Sequence, residues 1–110
     1  MKDPGQVLEI MSRKLKMLHK RFVEADGEKA TEISGQESAI LSVQRHICYA
    51  LADRGYFGVE DLAYVCDYVD DAKEKDHEYR NPRDTWFMKG RAEGAAWALK
   101  EIEKRMEEES

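Results

Sequence analysis

Glu37-Ser38-Ala39-Ile40-Leu41-Ser42-Val43-Gln44-Arg45-His46-Ile47-Cys48-Tyr49-Ala50-Leu51-Ala52-Asp53-Arg54-Gly55 is the stretch that decides the fold class. Ile40, Val43, Ile47 and Leu51 repeat at steps of three and four, with Leu41 and Cys48 beside them, so the apolar side chains share one broad helical face. The period-two alternation of a half-buried strand is absent. Just upstream, Ser34-Gly35-Gln36-Glu37 has the S-x-x-E form of a capping box, which predicts a helix start. Arg54 suits a last turn, and Gly55 suits the left-handed position that ends a helix. A helix is predicted over 35–54.

The same logic extends outward in both directions. Toward the N-terminus, Asp3 can cap, Pro4 fits the first helical position, and Leu8, Met11, Leu15, Leu18 and Phe22 form a seam. That predicts a helix over 4–24, followed by a loop over 25–29, where Asp and Gly favour turns. Toward the C-terminus, the short connector Gly55-Tyr56-Phe57-Gly58 predicts that the next helix, over 59–79, returns antiparallel. Glu60 and Asp61 suit its first turn, and Leu62, Val65, Cys66, Val69 and Ala72 are its apolar face. Pro82 ends it, with Asn81 capping a last helix over 82–108 that carries Met88, Ala92, Ala95, Leu99, Ile102 and Met106 at heptad spacing. The expected architecture is one all-α domain over 1–110, a small bundle of about four amphipathic helices. Leu15, Leu18, Ile47, Leu51, Val65, Val69, Leu99 and Ile102 are its expected core.

Charge is the second source of information. Of 110 residues, 37% are charged and 42% hydrophobic, and the net charge is −5, which disfavours a general nucleic-acid binder. The charge is unevenly placed: residues 1–23 carry +4 and residues 59–78 carry −6. Glu60, Asp67, Asp71, Glu74 and Glu78 recur at steps that put them on one face of the third helix, opposite Leu62, Val65 and Val69. Such a stripe is either a solvated outer face, a contact surface for a basic protein partner, or an imitation of a nucleic-acid backbone. Arg13, Lys14, Lys16, Lys20 and Arg21 form a basic face on the first helix, where phosphate binding is the functional reading and solvation the plain one. Because the bundle core needs that helix's apolar side, insertion into a membrane is not expected. No stretch approaches the roughly 18 apolar residues of a membrane span. The N-terminus lacks the order of a secretory signal, so a cytoplasmic location is expected.

Catalytic and metal motifs are weak. Carboxylates on the third helix faintly resemble one half of the Mg²⁺ site of all-α nucleoside triphosphate pyrophosphohydrolases. The companion E-E-x-x-E helix is missing, since the second helix offers only Glu37 and Asp53. Glu74-x-x-His77 has the i, i+3 spacing of di-iron bundles but no second such pair. Cys48 and Cys66 lie on predicted apolar faces and read as buried thiols in adjacent helices, without zinc spacing to His19 or His46. No nucleophile elbow, P-loop or dinucleotide fingerprint occurs. No cofactor or metal is expected, and the chain is not expected to be an enzyme.

Gly90, Gly94 and Ala98 lie four apart on the last helix, flanked by Trp86, Phe87 and Trp97. Two mid-helix glycines cost about 1 kcal/mol each relative to alanine, so a close helix crossing should offset them. A homodimer with the Gly90–Ala98 ridge in its interface is the expected use. Met88 to Leu99 resembles the closing helix of short bacteriophage-encoded proteins, and that resemblance implies a mobile-element protein that binds and blocks a larger host protein. The leading expectation is therefore a small acidic interaction module that modulates a macromolecular partner. The alternatives are the Mg²⁺-dependent hydrolase and a nucleic-acid-associated protein acting through the first helix.

Overall fold

The computed structural model describes residues 1, 3–76 and 81–108, and they form four helices, with no strand among them. Helix α1 (Pro4–Glu24) starts as its sequence dictates: Pro4 opens the first turn and Asp3 Oδ1 accepts the Gln6 N–H at 3.1 Å. Val7, Met11 and Leu18 are its fully buried residues, while Leu8 and Leu15 pack at the margin and Phe22 is 38% exposed. The expected seam is thus rotated by about one position toward Val7.

Helix α2 (Gly27–Arg54) begins eight residues before the predicted start. Only Ala25 and Asp26 separate it from α1, and Gly27 takes a left-handed φ of 53° to turn the chain. Ser34 is not a cap but a mid-helix residue. The glycine beside it is present because α4 presses against it: a Cβ on Gly35 would lie 2.0 Å from the Phe87 carbonyl oxygen. At the other end Gly55 adopts the left-handed cap, φ 81°, and its N–H donates to the Leu51 carbonyl at 2.9 Å.

Helix α3 (Val59–Lys75) follows and buries Val65, Val69 and Ala72. It stops a few residues short of the predicted end, and 77–80 lie outside the described residues. Helix α4 (Pro82–Glu108) is capped as expected, with the Arg83 N–H donating to Asn81 Oδ1 at 2.9 Å.

The centre of the bundle is the pair α2 and α4. Glu32 lies over Gly90 and Gln36 over Gly94, a matched advance of four that makes the two helices parallel. Helix α1 runs antiparallel to α2, tied by Gln44 Nε2 donating to Ser12 Oγ at 3.0 Å. Helix α3 leans mainly on α4, and among the described residues α1 and α3 do not pack against each other. The core follows from this arrangement: Met11 and Leu18 of α1, Ile33, Ile40 and Ile47 of α2, Val65 and Val69 of α3 and Ala95, Ala98 and Ile102 of α4 belong to one buried cluster. Of the expected core, Leu15, Leu51 and Leu99 are only partly buried.

Candidate functional site

Because α3 turns Val65, Val69 and Ala72 inward, its opposite side faces outward, and the acidic stripe is on it. Glu60, Asp67, Asp70 and Glu74 are exposed and form no ion pair among the described residues. Asp71 differs: its Oδ2 lies 3.4 Å from both Lys75 Nζ and Arg91 Nη2. Partial burial raises its carboxyl pKa, but the Lys75 and Arg91 hydrogen bonds outweigh that and hold it below the usual carboxylate value. Glu78, and His77 of the E-x-x-H spacing, lie outside the described residues. A residue the charge pattern did not single out joins the stripe, since Tyr64 sits between Glu60 and Asp67 and is 54% exposed. Its ring stacks on the His46 imidazole, centroids 4.0 Å apart and planes within 9°.

What fixes α3 in this orientation is a buried polar cluster at the α2–α3 corner. Asp61 is 4% exposed, not a solvated first-turn residue. Its Oδ2 accepts the Gly58 N–H at 2.9 Å, closing the N-terminus of α3. Its Oδ1 accepts from the Arg54 guanidinium and lies 3.1 Å from His46 Nε2, a hydrogen bond that places the imidazole proton on Nε2. Burial pushes the Asp61 carboxyl up, but Arg54, Gly58 and His46 together offset it, and the pKa is lowered. The same contact with Asp61 raises the Arg54 guanidinium. Gly58-x-x-Asp61 was the signal for this cluster, together with His46 and Arg54, eight apart on one side of α2.

The basic face of α1 is partly used within the chain. Arg13 pairs with Glu9, and the Lys14 ammonium lies 5.3 Å from the Trp97 ring centroid. Lys16, Lys20 and Arg21 are exposed.

Two expectations need correction. The Gly90–Ala98 ridge is a helix crossing, but its partner is α2 of the same chain: a Cβ on Gly90 would lie 1.8 Å from the Glu32 carbonyl oxygen and one on Gly94 2.6 Å from that of Gln36. With Ala98 fully buried beside them, the ridge has no surface left for a second chain. Cys48 is exposed, not a core thiol, because α2 turns its Ile40–Val43–Ile47 side inward. Cys66 is half-buried; burial raises its thiol pKa, and nearby Glu103, Asp70 and Asp67 raise it further.

Among the described residues no three His, Cys, Asp or Glu side chains converge as metal ligands, and no helix is long and apolar enough to cross a membrane. Against known protein families, curated proteins and solved structures, the chain has no match.

Proposed function

We propose that this chain is a non-enzymatic binding module that offers the outer face of α3 to a basic protein partner and so modulates a larger assembly. The observation that supports this reading is a half-exposed tyrosine set among unpaired carboxylates: Tyr64 between Glu60 and Asp67, with Asp70 and Glu74 along the same helix. Like charges at i, i+3 and i+4 repel one another, and Lys or Arg side chains of a partner would relieve that repulsion. A tyrosine held by stacking adds apolar contact area at little entropic cost, which is why such residues anchor interfaces. The mobile-element likeness of α4 fits the same reading, in which a small acidic protein occupies a basic site on its target.

An arginine-rich peptide titrated into isotope-labelled protein tests it. Amide shifts should concentrate on residues 60–74, and binding should weaken as salt rises and disappear in a Glu60→Lys, Asp67→Lys, Glu74→Lys variant. Shifts spread over other helices, or binding indifferent to salt and to the three reversals, would remove the reading. Nucleoside triphosphate turnover with Mg²⁺ that vanishes in Asp67→Ala, Asp71→Ala would replace it with the hydrolase.

A further inference from the structure

With α1 on one side of α2 and α4 on another, one long face of α2 has no neighbouring helix among the described residues. It runs through Ser38, Leu41, Arg45, Cys48 and Ala52 and carries two shallow grooves, of about 260 Å³ and about 420 Å³. In a chain that is 37% charged, this face is almost free of charge. Its two ionic side chains are opposite in sign and line the same groove: Arg45, exposed, and Glu37, half-buried. Neither makes an ion pair among the described residues, and the Oε1 of Glu37 is buried without a hydrogen-bond partner. Eight residues separate them, about 12 Å along a helix, too far to satisfy each other.

We propose that a second copy of this chain docks on this face, its α2 antiparallel to the first and the twofold axis passing near Leu41. The argument is charge self-complementarity. A twofold at Leu41 sets Arg45 opposite the partner's Glu37, and by symmetry Glu37 opposite the partner's Arg45, so two unpaired charges per chain become two ion pairs per dimer. Leu41, 37% exposed, meets its own copy on the axis, where a large apolar side chain gains most from burial. Ser34 and Ser38 are small enough for the two helices to approach, and Ser34 falls opposite the partner's Cys48. The acidic face of α3 takes no part, so this proposal and the binding reading stand or fall separately.

Sedimentation of the full chain from micromolar to submillimolar concentration reads the association. A dimer is expected, and Glu37→Arg or Arg45→Glu alone should weaken it at least about tenfold, while the two together restore it to within about threefold. A wild type that stays monomeric over this range, or a dimer that tolerates either single reversal, overturns the proposal. Circular dichroism checks that the variants fold. Should a reversal variant not fold, the register is read with both ion pairs intact. Mild oxidation of Ser34→Cys should then yield a disulfide that joins the introduced thiol to the partner's Cys48. A Cys48–Cys48 link between copies, or no link, rules out the Leu41 axis.

Discussion

Asp61 ties two helices together through a single side chain. It closes the first turn of α3, receives the Arg54 and His46 hydrogen bonds from α2, and is almost fully buried. Asp61→Asn keeps the shape but removes the charge and one of the two accepting oxygens, leaving an NH2 group facing a donor, and the variant should lose about 2–3 kcal/mol. The pH dependence follows from the lowered pKa. A carboxyl whose folded pKa lies below its unfolded value binds fewer protons when folded. Its contribution is therefore fully present above the unfolded pKa of about 4 and is lost as pH falls through the folded value. Urea unfolding at successive pH values should show this acid loss in the wild type and a flatter acid limb in Asp61→Asn. The two thiols offer a second contrast at this scale. In dilute protein Cys48 should react with a disulfide reagent well before Cys66, whose thiol is half-buried and raised by burial and by the carboxylates around it.

At the scale of helices, the glycines of α2 and α4 decide the packing. Replacing a solvent-facing helical glycine with alanine stabilises by about 1 kcal/mol. Gly90 and Gly94 should show the opposite sign, because an added methyl group runs into the Glu32 and Gln36 backbone. Gly94→Leu should destabilise by several kcal/mol, at or beyond the usual ~1–3 kcal/mol of overpacking. Gly5→Ala is the control, since its methyl would rest 3.4 Å from Asp3 Oδ1 at ordinary contact distance. Thermal melts of Gly90→Ala, Gly94→Ala, Gly94→Leu and Gly5→Ala check the sign. These same glycines explain what could be read in advance and what could not. Helix ends at Asp3, Gly55 and Asn81 were legible because caps are local chemistry. The start of α2 was not, because Ser34-x-x-Glu37 has the local form of a capping box, and only the crossing with α4 accounts for a glycine at position 35 inside the helix. The acidic stripe was legible from periodicity alone, whereas Asp61 looked like one more first-turn carboxylate. Its burial depends on where His46 and Arg54 arrive from another helix.

For the molecule as a whole, stability is centred on the α2–α4 pair, with α1 and α3 as separate flanks. Amide hydrogen exchange should therefore be slowest around residues 33–43 and 90–98, where backbone packs on backbone, and faster in α3, which leans mainly on one neighbour. Exchange-coupled mass spectrometry would show this as two slow peptides far apart in sequence. Equal protection of all four helices would contradict it.

That central pair has a kinetic consequence as well. In an up-and-down bundle most contacts join helices that follow one another, but here the tightest crossing joins segments whose side chains, Gln36 and Glu93, are 57 residues apart. The chain must close a large loop containing all of α3 before Gly35 can meet Phe87 and Gly90 can meet Glu32, and loop closure precedes the reward of contact. The α1–α2 and α3–α4 hairpins can form early, each from neighbouring chain, and their docking through the glycine crossing becomes the slow event. A methyl group at Gly90 would then retard folding itself, and so would a substitution that weakens the α1–α2 margin, because that hairpin forms before the slow step.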